Sequence, residues 1–207
     1  MGSRKDQDSY YRRAKQEGFA ARSVYKLQEM DQRYGLLRQG MRVLDIGCHP
    51  GSWLQYAAGR VGPGGLVLGV DIQELAVDLP RWGRFIQADV LKLTPAEVLA
   101  VAPAFDVVLS DVAPRTTGVR HADEAASLAM LEAVFDLALA VLRPGGSFLA
   151  KVYFGPGVDQ LIHQVKGRFK LGKGHKPAAS KAASKEIYIL GRELKNALPQ
   201  VDTQTEG

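Results

Sequence analysis

The sequence predicts an α/β protein with an open, mostly parallel sheet, helices on both faces and an antiparallel last strand. Two observations carry this. Short runs rich in Val, Leu and Ile end in turn residues at 41–47, 66–72, 84–90, 105–113 and 146–153, and helical patterns separate most of them. None of these runs alternates cleanly, as expected of strands buried on both faces. A further run at 187–190 follows a Gly/Lys-rich segment with no room for a crossover helix. A hairpin-like return is the cheaper connection there, and it makes the final strand antiparallel.

The helices follow from local signals. Val24, Leu27 and Met30 have helical spacing within 19–37, ahead of the first strand. Helical patterns occupy 52–60, 94–102, 123–142 and 158–166. Thr94-Pro95-Ala96-Glu97 combines an N-cap, a proline at the first helical position and an acid at the third. Arg143-Pro144-Gly145-Gly146 stops the long helix. Residues 1–15 are polar and charged and 195–207 lack apolar periodicity. They are expected as a flexible basic arm and a disordered tail around one domain over 16–194.

Composition narrows the function classes. The 207 residues suffice for a full core, and 46% hydrophobic with 24% charged content excludes global disorder. Cys48 is the only cysteine, which excludes a disulfide framework and a cysteine-rich zinc site. The amino terminus has no apolar signal core, and Glu132 and Asp136 break the longest apolar stretch. A cytoplasmic, monomeric protein without a membrane partner is expected. The net charge of +5 is uneven: residues 1–26 carry +4 and 166–185 carry +7, leaving a mildly acidic body. Two basic segments on an acidic body point to nucleic acid if they meet in space.

The first strand runs into Asp45-Ile46-Gly47-Cys48-His49-Pro50-Gly51-Ser52-Trp53. An acid and then glycines at a strand-to-helix turn is how open α/β sheets make room for a nucleotide-like ligand. Gly47 lets the backbone turn and Gly51 lets it approach a ligand. Asp71 ends the second strand, 20 residues after Gly51, where a carboxylate can accept both hydroxyls of an adenosine ribose. The third strand ends in Ala88-Asp89-Val90, which places Asp89 on the same edge, suited to an adenine amino group. G-x-G-x-x-G is absent and no phosphate-gripping loop occurs, which disfavours a nicotinamide dehydrogenase. An acid-lined pocket without a phosphate cradle suits S-adenosylmethionine, whose sulfonium is cationic. Cys48 and His49 are more simply packing and turn residues than catalytic ones.

Asp111 and Lys151 lie near the carboxyl ends of adjacent expected strands, and lysine inside an apolar strand is rare. An antiparallel last strand returns Glu186 to that edge, and Lys26 on the preceding helix can cover it. The set Lys26, Asp111, Lys151 and Glu186 resembles the Lys-Asp-Lys-Glu tetrad of FtsJ/RrmJ-type ribosomal RNA ribose 2′-O-methyltransferases. The likeness runs from Tyr10 to Glu193 and includes Arg22-Ser23-Val24-Tyr25-Lys26-Leu27, Ser110-Asp111-Val112-Ala113-Pro114 and Ser184-Lys185-Glu186-Ile187-Tyr188. Ser52 stands where the family usually has a second glycine, and Cys48 and His49 replace small residues.

The resemblance implies a seven-stranded Rossmann-like methyltransferase fold. It implies that Gly51, Trp53, Asp71, Asp89 and Asp111 contact S-adenosylmethionine, with Gly47 in the turn beneath, and that Lys151 accepts the proton. The implied substrate is RNA, a uridine of the large ribosomal subunit, and no DNA. Transfer RNA is the alternative substrate, and a non-catalytic ribosome-assembly protein the alternative role. The chemistry needs no metal: a ribose hydroxyl needs positioning, charge stabilisation and removal of its proton.

Overall fold

The computed structural model describes residues 4–114, 117–177 and 185–196. Among them are seven strands: β1 (Arg42–Ile46), β2 (Leu66–Asp71), β3 (Gly83–Gln87), β4 (Phe105–Ser110), β5 (Leu142–Tyr153), β6 (Phe169–His175) and β7 (Glu186–Leu194). They form one sheet in the order β3-β2-β1-β4-β5-β7-β6. The helices are α1 (Arg4–Gln16), α2 (Val24–Tyr34), α3 (Ser52–Val61), α4 (Pro95–Leu99), α5 (Arg120–Val141) and α6 (Val158–Arg168).

Apolar layers on both faces explain why the strands do not alternate in hydrophobicity. Leu44, Ile46, Val108 and Phe148 pack with Leu131 and Phe135 of α5 and Leu161 of α6. Their strand neighbours Val43, Val107 and Leu149 face the other way, with Leu27 and Met30 of α2 and Trp53 and Leu54 of α3. Burying both faces is what a parallel sheet with crossover helices requires.

The last strand is antiparallel, as expected, and lies between two others. β7 runs antiparallel to β5 on one side and to β6 on the other. The Gly/Lys-rich stretch expected as a connecting segment therefore contains β6, the edge strand of the sheet. Thr94 caps α4 with a complete capping box, but the helix ends at Leu99, short of the expected 102. The helix expected within 19–37 is confined to Val24–Tyr34 and closes on Gly35 in the left-handed conformation.

Where the sequence reads as an arm over 1–15, the chain forms α1 from Arg4. Ala14, 2% exposed, and Tyr10, whose ring centroid lies 5.4 Å from that of Tyr25, dock it onto the body. Tyr11, Arg12 and Lys15 remain exposed. Of the expected tail, residues 195 and 196 continue from β7, and Lys195 N–H donates to the Arg168 carbonyl. Residues 197–207 lie outside the described part of the chain.

Candidate active site

The carboxyl ends of β1, β2 and β4 and the segment after β3 surround a cleft of about 630 Å3, within the size range of small-ligand sites. Gly47, His49, Asp71, Asp89 and Asp111 line it, with Ile72, Leu91 and Met130 among the apolar residues. Asp71 is held by two backbone donors, His49 N–H at 2.9 Å and Gln73 N–H at 2.9 Å. Asp89 accepts from Leu91 N–H at 3.0 Å. Asp71 is thus fixed by the turns that follow β1 and β2, and Asp89 by the turn that follows β3.

The two glycines have a steric explanation. Gly47 has φ +74°, and a Cβ there would lie 2.5 Å from Cβ of Val112. Gly51, the N-cap of α3, has φ +122°, and its Cβ would lie 2.4 Å from Val77 Cγ2. A side chain at Gly47 would push on Val112 in the wall of the cleft, and one at Gly51 would part the start of α3 from the segment that carries Val77.

Gly51 and Trp53, expected at the cofactor, are not among the lining residues of this cleft. Trp53 is 2% exposed, donates its indole N–H to the Ser23 carbonyl at 2.9 Å and stacks 5.8 Å from Tyr188. Ser52, the departure from the usual glycine, pairs its hydroxyl with that of Ser23 at 3.0 Å. Both residues therefore tie α3 to the start of α2, the helix that carries Lys26.

The four tetrad residues come together as two ion pairs. Lys151 Nζ lies 3.1 Å from Asp111 Oδ1 and 2.6 Å from the Asp111 carbonyl oxygen. Lys26 Nζ lies 2.8 Å from Glu186 Oε2. Strand register produces this: Ser110 of β4 faces Ala150 of β5, while Glu186 and Tyr188 of β7 face Tyr153 and Lys151. Tyr188, not singled out by the sequence, joins the pairs. Its hydroxyl donates to Asp111 Oδ1 at 2.7 Å, and Lys26 Nζ sits 5.8 Å from its ring centroid. Burial and then the Asp111 carboxylate push the Tyr188 phenol well above its usual range, so it remains a donor.

Burial likewise pushes the Cys48 thiol up, in keeping with its reading as a packed side chain. Asp45 is the other residue that sequence reading left without a role. It is fully buried on β1, and neither carboxyl oxygen has a hydrogen-bond partner. Burial, followed by the like charges of Asp111 and Asp71, pushes its carboxyl well above the usual carboxylate range. Such an acid stays protonated in the fold while it ionises in the unfolded chain. Stability therefore falls as pH rises from the unfolded value, about 3.9, until the folded value is passed. Asp45→Asn, similar in shape to the neutral acid, removes that slope. Below about pH 4 cofactor-free wild type and variant should melt alike. Above it the variant should gain about 1.4 kcal/mol per pH unit through the window. Parallel melting curves from pH 4 to pH 8 would show that Asp45 ionises freely.

The sheet and its acid-rimmed cleft define a Rossmann-like protein of the methyltransferase class. The chain belongs to the FtsJ-like methyltransferase family, whose model matches residues 19–194. It is 46% identical over 191 residues to "Ribosomal RNA large subunit methyltransferase E" of Syntrophobacter fumaroxidans, covering 92% of this chain and 97% of that one. It is 45% identical to the protein of the same name from Desulfatibacillum aliphaticivorans, covering 89% of each. A solved structure named as a ribosomal RNA methyltransferase from Plasmodium falciparum superposes with a TM-score of 0.75 at 26% identity, covering 85% of this chain and 98% of that one. Family membership implies a methyl donor.

Proposed function

We propose that this chain transfers a methyl group from S-adenosylmethionine to a ribose 2′-hydroxyl of large-subunit ribosomal RNA, with a uridine as target. The observation that carries the reading is the double position of Asp111: it lines the acidic cleft and it holds Lys151. One carboxylate thus joins the place for a cofactor to the place for a base.

The residues present fit the cofactor. Asp71 and Asp89 are spaced along successive strand ends for a ribose and an adenine amine, and Ile72 and Leu91 offer apolar surface beside them. The cleft carboxylates Asp71 and Asp111, whose charges also help keep Asp45 protonated, favour a cationic ligand. When bound, S-adenosylmethionine supplies a methyl group on a positively charged sulfur and leaves as a neutral thioether.

The chain's own residues do the rest. To act as the base, Lys151 must first release one ammonium proton to solvent, which leaves two N–H donors and one lone pair. Asp111 offers Lys151 two acceptors, its carbonyl and Oδ1, so the lone pair is the group left to take the 2′-hydroxyl proton. Removal of that proton would leave the 2′-oxygen able to take the methyl group that the bound cofactor would supply. Lys26, paired with Glu186, steadies the negative charge that develops on the oxygen.

The RNA backbone would be gripped by the basic segments, α1 and the region around β6. Arg13 pairs with Glu17, and Lys170 with Glu193. Arg12→Glu with Lys15→Glu should weaken RNA binding and flatten its salt dependence by about 0.7 in the log–log slope for each phosphate no longer neutralised. Replacing Lys173 and Lys176 should act in the same direction. A salt slope unaltered by both sets would assign those charges to solvent.

The reaction is tested by incubating the protein with isotopically labelled S-adenosylmethionine and unmethylated large-subunit ribosomal RNA, free and in assembled subunits. Mass spectrometry of the digested RNA should find the label on a ribose 2′-oxygen. Label on a base would overturn the ribose assignment, label only in a parallel incubation with transfer RNA would overturn the substrate, and no label would favour an assembly role.

A further inference from the structure

We infer that Glu124 of α5 is a positioning residue for the tetrad: its ion pair with Lys185 fixes the start of β7 and with it Glu186. This rests on the proposed role of the tetrad in methyl transfer.

Glu186 stands at the end of a ladder. Tyr153 facing Glu186 is the final register pair between β5 and β7, and Phe154 N–H to the Lys185 carbonyl at 2.8 Å continues it by one bond. Ladder ends open at low free energy unless something holds them, yet Glu186 must stay within 2.8 Å of Lys26. Three contacts from α5 hold this end. Glu124 Oε1 lies 3.0 Å from Lys185 Nζ. Ser127, one turn further along α5, accepts from Tyr153 N–H at 3.2 Å. Gly155 fits against the Glu124 carboxyl so closely that a Cβ would sit 3.1 Å from Cδ and Oε2. One face of α5 thus holds the ends of the strands that carry Lys151 and Glu186.

Stability alone is a weak reason for this arrangement. Glu124 is 8% exposed, and a buried carboxylate loses in desolvation much of what its ion pair gains. What the pair supplies is a fixed distance between α5 and the residue next to Glu186.

The test compares full-length wild type, Glu124→Gln, Lys185→Met, the double variant and Lys151→Ala. Each is assayed with labelled S-adenosylmethionine and unmethylated large-subunit ribosomal RNA under single-turnover conditions. Glu124→Gln and Lys185→Met should each slow methyl transfer about tenfold, and the double variant should be no slower than either single one. Cofactor affinity should stay near wild type in both single variants, and RNA affinity in Glu124→Gln, which keeps every cation of the basic segments; this separates positioning from general loosening. Lys185 is half exposed, so Lys185→Met tests the pair even if Glu124→Gln folds poorly. A wild-type rate in Lys185→Met, or losses that multiply to about 100-fold in the double variant, would overturn the inference. A wild-type rate in Lys151→Ala would instead overturn the tetrad reading beneath it.

Discussion

Lys151→Ala should slow methyl transfer by about 10²–10⁴-fold, the usual contribution of a positioned general base, while the cofactor and RNA still bind. The side chain is mostly buried beside Asp111, so its loss leaves a small void and a carboxylate still held by the Tyr188 hydroxyl. The fold should therefore persist. Lys151→Arg separates two roles for the amine. A guanidinium stays protonated and cannot take the hydroxyl proton, so a base requires the Arg variant to fail with the Ala variant. Near-normal transfer by the Arg variant would make Lys151 a cationic clamp on the ribose.

Asp71→Ala and Asp89→Ala should each weaken S-adenosylmethionine binding by about 1–3 kcal/mol, the loss expected for a hydrogen bond to a charged group. At Asp71 the effect has two sources. Its carboxylate also accepts from His49 and Gln73, so alanine frees both turns that border the cleft as well as removing the ligand contact. Asp71→Asn keeps one acceptor oxygen and should fall between wild type and alanine. Asp89 accepts through Oδ1 from Leu91, and its replacement should loosen the segment that presents Leu91 to the cleft. Isothermal calorimetry reads these differences directly. Unchanged affinity in both alanine variants would remove the cofactor from this cleft.

The sequence makes the strand-end acids legible because β1, β2 and β4 end in glycine or acid at the very edge where parallel strands leave room for ligands. The Asp111–Lys151 pair follows from adjacency of β4 and β5. Lys26 and Glu186, 160 positions apart, share no local pattern; the antiparallel return of the last strand brings them to one edge, and the resemblance joins them to Asp111 and Lys151 as a set. Tyr188 escapes notice because a tyrosine in an apolar strand looks like core; its function depends on where Asp111 lies. β6 is hidden by composition. Gly172 and Gly174 weaken any strand pattern, yet Cβ atoms there would meet the Lys166 backbone at 2.6 Å and Ile162 at 3.2 Å, so α6 packed against the strand explains them. α1 is hidden for the opposite reason: Tyr10 and Ala14 are too few to make a periodic stripe in a charged segment, though they suffice once Tyr25 is in place.

The placement of β7 between β5 and β6 has a consequence for biogenesis. During N-to-C synthesis β5 and β6 emerge before the strand that pairs with both of them. Until β7 inserts, β5 offers a long apolar edge, the kind of template on which chains aggregate. That same late strand carries Glu186 and Tyr188. The insertion that protects this edge is therefore also the event that completes the Lys26–Glu186 pair and the Tyr188–Asp111 hydrogen bond.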